Sequence, residues 1–284
     1  MPDRLLDAVF LQAPFWLIGA ALLAVMFVAA LLGRRMRLRH DNLRKNSAEH
    51  DKSEAREGYI VSAVLGLLAL LTGFTFALAL ERFDTRRERV LLEANAIAAA
   101  YLQTQVLQQP HRGRISDFLR QYTDTSVELA SARASDQLEL RRRDDRLMVD
   151  LWKAAVAVFP TIKQYDFSST YMERMNDVID LDLARKIARE SHVPSEVYLV
   201  LILYQIGTAY VIGYVLVGDR GRMSAILLFV LFSMSIMLII DIDRPTSGWI
   251  KTPQGPMLEL QKFLRSNPPP ARRAPLIGRT QMPS

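Results

Sequence analysis

Residues able to carry chemistry are few in this chain, and most are scattered. The four histidines, His40, His50, His111 and His192, share no metal-ligand spacing. There is no cysteine, which excludes disulfides, thiolate metal sites and thiol nucleophiles. No phosphate loop, nucleophile elbow or dinucleotide fingerprint is present, so the chain does not read as an enzyme. Asp144 and Asp145, within RRRDDR, read as a solvated charged face. One pair stands apart: Asp241 and Asp243 in DIDRPTSGW, directly after an apolar run. A carboxylate at a helix C-terminus opposes the macrodipole, so each acid needs a partner. An arginine, a cation or a helix N-terminus would serve. Oxygen ligands two residues apart, with loop carbonyls, suit Ca²⁺, while 36 Lys and Arg residues make an arginine the simpler partner. Pro245 and Gly248 then turn the chain, and Trp249 fits an interfacial anchor.

What positions this pair is a bilayer. Four windows carry no charge: Phe15 to Gly33 (19 residues), Gly58 to Leu80 (23), Val197 to Gly218 (22) and Met223 to Ile240 (18). Runs of about 20 apolar residues are long enough to cross a bilayer as helices. The expected fold is therefore all-α: a polytopic membrane protein with four transmembrane helices and a helical-bundle insertion between the second and third. The expected order is a first span and basic loop (1–57), a second span (58–80), a soluble helical domain (81–193), a transmembrane hairpin turned by DRGR (194–242), and an interfacial segment with a disordered Pro/Arg-rich tail (243–284). The first span exceeds a signal-peptide core and is read as retained. The formal charge of +6 does not call for nucleic acid, because residues 81–193 hold 18 basic and 18 acidic residues and the excess flanks the membrane. Eight Lys or Arg follow the first span, which on charge alone places that loop in the cytoplasm.

The soluble segment shows helical period throughout. Phe83, Val90, Leu91, Ala94, Ile97, Tyr101 and Leu102 form the apolar face of a helix continuing from the second span, broken at Pro110 and Gly113. Further helices are expected from Arg114, around Leu147 to Ala155 with a stop before Pro160, and from Ser168. The last of these would carry Met172, Met175, Ile179, Leu183 and Ile187 on one face.

The second span carries the pattern richest in consequence. Ser62, Gly66, Ala69, Gly73 and Ala77 recur every three or four residues as a face of small side chains, with the hydroxyls of Thr72 and Thr75 beside it. Such a face permits close helix packing. Around a symmetry axis it would equally leave room for an aqueous path, which Phe74 or Phe76 would narrow. Glu81, Arg82, Asp84, Arg86 and Arg87 follow at once, and in a ring of subunits they would set the field at a pore mouth. Tyr204, Gln205, Thr208 and Tyr210 place polar groups deep in the third span, where hydrogen bonds to a neighbouring helix are the expected use.

The block LGLLALLTGFTFALALERFDTRRERVLLEANAIAAAYLQ (Leu65 to Gln103), together with DIDRPTSGW, resembles a bacterial, bestrophin-like membrane protein family of unknown function, with a more distant likeness to bestrophins themselves. That resemblance implies a ring-shaped homo-oligomer in the bacterial inner membrane that conducts inorganic ions, mostly anions. It implies that the second span lines the pore, with Ser62, Gly66, Ala69, Thr72, Gly73, Thr75 and Phe76 as lining candidates and Glu81, Arg82, Asp84 and Arg86 at the mouth. Residues 81–193 would enclose a cytosolic vestibule, contrary to the charge-based orientation. By position, Asp241 and Asp243 would correspond to a Ca²⁺-binding acidic cluster, although the acidic run is shorter here and the stretch after the pore helix reads RFDTRRE. The reading from a different class is a membrane-anchored scaffold or signalling adaptor, whose helical domain binds a partner and whose second spans pair without a central path.

Overall fold

The computed structural model describes residues 14–43, 50–133, 135–215, 219–245 and 248–269. Every regular element among them is helical: α1 (Phe15–Leu43), α2 (His50–Thr104), α3 (His111–Ser131), α4 (Gln137–Ile162), α5 (Phe167–Glu190), α6 (Ser195–Val215), α7 (Asp219–Asp243) and α8 (Gly255–Ser266). Four helical stretches are long and apolar enough to cross a membrane, and each overlaps one of the four uncharged windows. The chain divides into two compact units, residues 1–85 with 189–252, and residues 86–188 with 253–284. Helix α2 runs unbroken through the first division point.

The first unit contains α1, the apolar part of α2, α6 and α7. Lipid tails are as apolar as leucine, so spans associate through close packing rather than by escaping water. Glycines supply that packing where α1 meets α6. A Cβ on Gly213 would lie 2.1 Å from the Ala30 carbonyl oxygen, and one on Gly33 would lie 2.2 Å from the Tyr210 carbonyl oxygen. Gly19 likewise admits the Met237 sulfur of α7. Met26, Leu68, Ile212, Phe229 and Ile236 fill the rest of the core, and Phe27 meets Phe229 edge-on at 5.7 Å between ring centres. Gln205 and Thr208 are buried; the Gln205 amide reaches the Phe232 carbonyl at 3.4 Å, and the Thr208 hydroxyl donates to Tyr204 O. Tyr204 and Tyr210 are exposed on the protomer. The DRGR segment begins α7, so the connection before it, residues 216–218, lies outside the described residues.

The second unit packs the charged part of α2 with α3, α4, α5 and α8 around Ile97, Tyr101, Leu119, Tyr122, Leu151 and Met175. Several boundaries differ from the expectations. Helix α3 begins at His111 and runs through Gly113, and α4 carries Pro160 in its last turn. Pro160 has no N–H to donate to the Val156 carbonyl, and the helix ends two residues later. Helix α8 lies within the segment expected to be interfacial or disordered. It inserts Met257, Leu260 and Leu264 into this core, and its C-terminal carbonyl at Leu264 accepts from Arg120 at 3.1 Å. The remainder of the expected tail, residues 270–284, lies outside the described residues.

On α2 the buried face is Val90, Ala94, Ile97 and Tyr101, while Leu91 and Leu102 are exposed. On α5 the buried face is displaced by about one residue from the expected stripe. It carries Tyr171, Met175, Val178, Asp182 and Arg185, and it leaves Leu183 and Ile187 in the open.

The α1–α6 crossing yields a stability prediction. Gly213→Ala drives a methyl into backbone atoms that cannot swing aside, costing about 1–3 kcal/mol of packing and lowering the thermal midpoint of the detergent-solubilised protein. Gly207→Ala, where a Cβ meets nothing within 4 Å, does not lower the midpoint.

Candidate functional site

In the first unit, α2 turns Leu68, Thr75 and Ala79 toward its own protomer. Helical geometry places the remaining outward positions in two sectors. One holds large apolar side chains, Leu67, Leu70, Phe74 and Leu78, all exposed. The other holds Ser62, Gly66, Ala69 and Gly73, with Phe76 at its edge, and these are largely exposed as well. A Cβ on Gly66 or Gly73 would meet nothing within 4 Å. These glycines therefore do not serve close packing inside the protomer, a role that falls to Gly33 and Gly213.

The hydroxyls along this helix are turned onto backbone carbonyls one turn back: Ser62 to Gly58 O, Thr72 to Leu68 O and Thr75 to Leu71 O, at 2.8–3.0 Å. Thr75 is buried and does not share the small-residue sector, and Thr72 is only half-exposed. Among the charges that follow, Glu81, Arg82, Asp84 and Arg87 are exposed, whereas Arg86 is buried.

Both acids accept backbone N–H groups, one of them just ahead of a helix N-terminus, and Asp241 also interacts electrostatically with the buried Arg244. Helix α7 continues through Asp243, so side chains at 241 and 243 point to different sides of it. Asp241 accepts the N–H of Trp249 (2.8 Å) and of Ile250 (3.0 Å). Asp243 accepts the Val193 N–H through both oxygens at 3.1 Å, just before α6, and the Tyr198 hydroxyl at 3.2 Å. His192 Nδ1 lies 3.1 Å from the Asp243 carbonyl oxygen. Gly248 is required for this closure, since a Cβ there would sit 2.5 Å from Asp241 Oδ1. A calcium ion needs oxygens converging on one point. Asp243 instead turns both oxygens to the Val193 N–H, while Asp241 turns its two to Trp249 and Ile250, so the carboxylates as placed do not converge. No group of three or more His, Cys, Asp or Glu able to hold a metal occurs among the described residues.

The second unit holds a buried charge cluster that the sequence pattern does not announce. Glu93, on α2, lies 2.7 Å from Arg185 of α5, with both side chains almost fully buried. Tyr122 of α3 hydrogen-bonds Glu93 Oε1 and lies 2.8 Å from Asp182 Oδ1. Arg185 also donates to Ser126 at 3.1 Å. Lys186 closes the cluster, contacting Asp144 at 3.2 Å, Asp145 at 2.7 Å and Asp182 at 2.8 Å. Asp144 is fully buried, which corrects its reading as part of a solvated face; Asp145 is exposed as expected. Burial pushes the Glu93 carboxyl up to about 7 against the pull of Arg185. Burial likewise raises Asp144, with Arg185 and Lys186 opposing. One signal of the cluster is present in the sequence: Glu93 interrupts the apolar stripe of Val90, Ala94, Ile97 and Tyr101.

A family model described as Bestrophin-like domain matches residues 20–256. No curated protein sequence matches significantly. Among solved structures, a bacterial bestrophin homolog from Klebsiella pneumoniae superposes with a TM-score of 0.63 at 14% identity, covering 87% of this chain and 97% of that one. A single-substitution variant of that homolog gives 0.64 at 13%, covering 90% and 98%.

The carboxylate contacts set up a test. Asp243→Ala removes the acceptor of the Val193 N–H and the Tyr198 hydroxyl and costs about 1–3 kcal/mol, seen as a lowered thermal midpoint. Added calcium leaves the wild-type midpoint where it was.

Proposed function

This chain belongs to the Bestrophin-like family, and on that premise we propose that it is an oligomeric ion channel of the bacterial inner membrane, its pore lined by the small-residue sector of α2. The supporting observation is the division of α2's outward surface. Large apolar side chains suit lipid contact, whereas Ser62, Gly66, Ala69 and Gly73 leave space and expose backbone. In a ring of copies, the first sector faces lipid or a neighbour and the second faces the axis. The similarity to a bacterial bestrophin homolog supports the same arrangement through the fold.

In this reading Phe76, at the edge of the sector and exposed, narrows the path. Ions then pass Glu81, Asp84 and Arg87, whose repetition around the axis sets the potential at the mouth. Thr75 and Arg86 contribute from inside the protomer rather than from the pore wall. Anion permeability is the finer part of the proposal and follows from the bestrophin resemblance. The scaffold reading differs on one point: it needs the small-residue sector covered by a partner helix and inaccessible to water.

Because the chain has no cysteine, single cysteines report cleanly on that point. In liposomes, Gly73→Cys or Ala69→Cys channels lose ion flux on treatment with a charged, membrane-impermeant thiol reagent, and Phe74→Cys channels keep it. Reversal potentials in a salt gradient follow the anion. Absence of flux from verified oligomer, or equal insensitivity at all three cysteines, counts against the pore.

A further inference from the structure

The hydrogen bonds of the buried cluster do not balance when all of its carboxylates are ionised. A tyrosine has one O–H to donate. The Tyr122 oxygen lies within hydrogen-bonding reach of both Glu93 Oε1 and Asp182 Oδ1. Its single hydrogen serves one of them, so the other would meet only lone pairs, oxygen against charged oxygen in a buried site. Arg185 Nη2, 3.4 Å away, is a further donor to the hydroxyl and leaves that conflict in place.

The charges give the same count. Three buried carboxylates, Glu93, Asp144 and Asp182, face two cations, Arg185 and Lys186. An unbalanced charge is costly where water does not reach it. One added hydrogen resolves both mismatches: Glu93 donates to the Tyr122 oxygen, and Tyr122 donates to Asp182. Glu93 is the carboxylate placed to take it. Asp182, the other carboxylate on the Tyr122 oxygen, accepts a hydrogen bond from Lys186 at 2.8 Å. Glu93 is fully buried, and although Arg185 Nε is 2.7 Å from its Oε2, that N–H is not aimed along the contact.

We propose that Glu93 is a buried proton-binding site, occupied at neutral pH and below, whose hydrogen is donated to Tyr122 and whose loss loosens the seam between α2, α3 and α5. The charged and titratable groups facing it are Tyr122 from α3, Asp144 from α4, and Asp182 and Arg185 from α5. Lys186 and Asp145 border the same cluster. Burial lifts the Glu93 carboxyl from 4.5 to about 7, with Arg185 opposing. The sign follows from linkage. Between those two values the folded chain binds more protons than the unfolded one, so stability falls as pH rises, by up to about tenfold in the folding constant per pH unit, and levels off above the upper value.

Infrared difference spectra of the full-length protein in detergent test the site with no reference to ion current. The wild type shows a protonated-carboxyl stretch at pH 6 that disappears by pH 9. Glu93→Gln lacks it, and Tyr122→Phe displaces it because the acceptor of the acid's hydrogen is gone. In the wild type the thermal midpoint falls between pH 5 and pH 7.5, and in Glu93→Gln this fall is absent or smaller. If Glu93→Gln does not fold, the wild-type band together with its displacement in Tyr122→Phe carries the assignment. A wild-type spectrum without a protonated carboxyl at pH 6, or a band retained in Glu93→Gln or unmoved in Tyr122→Phe, overturns the proposal.

Discussion

A helix that stopped within the hydrocarbon would leave its last four carbonyls without partners where water does not reach. Helix α2 avoids that by not stopping. It runs from His50 to Thr104 with its internal ladder intact, so the step from uncharged to charged sequence near Glu81 is a change of surroundings without a change of backbone. Much else depends on this continuity. One element carries both the small-residue sector beginning at Ser62 and the buried Glu93, and both compact units are built partly on it.

The two units solve the problem of burial with different means. In the first, the absence of side chains is what allows contact: glycines at 33 and 213 let helices touch through backbone atoms. In the second, apolar packing is interrupted by a charge cluster held by several hydrogen bonds. Breaking a buried pair costs more than the pair itself contributes, because the abandoned partner remains desolvated. The Asp241 and Asp243 clamps belong to a third kind. They give loop N–H groups an acceptor, Asp241 closing the turn that follows it and Asp243 reaching a segment distant in sequence, which accounts for acids at the end of a helix where the macrodipole disfavours them.

The spans are legible in the sequence because a chain seldom stays free of charge over about 20 residues unless lipid surrounds it. The small-residue stripe is legible too, but not which glycines pack, since a pattern on one helix says nothing of its neighbour. Gly66 and Gly73 have the spacing of packing residues, yet Gly33 and Gly213 are the ones that pack. On α5 the period admits two registers. The apolar one, with Leu183 and Ile187 inward, follows from the rule that charge normally faces water. The actual one turns Asp182 and Arg185 inward, where Glu93, Tyr122 and Asp144 receive them. A single sequence shows no such cross-helix complementarity. Helix α8 is hard to read because it is short, opens with glycine and proline, and precedes a proline run.

The placement of α8 has an implication for the order of events during synthesis. Its three apolar anchors enter a core otherwise built from residues 86–188, yet two membrane-spanning helices are translated in between. When α2 to α5 leave the ribosome, the positions that will receive Met257, Leu260 and Leu264 are still vacant. That core is therefore complete only once α6 and α7 have been translated and the distal portion of the chain has followed them.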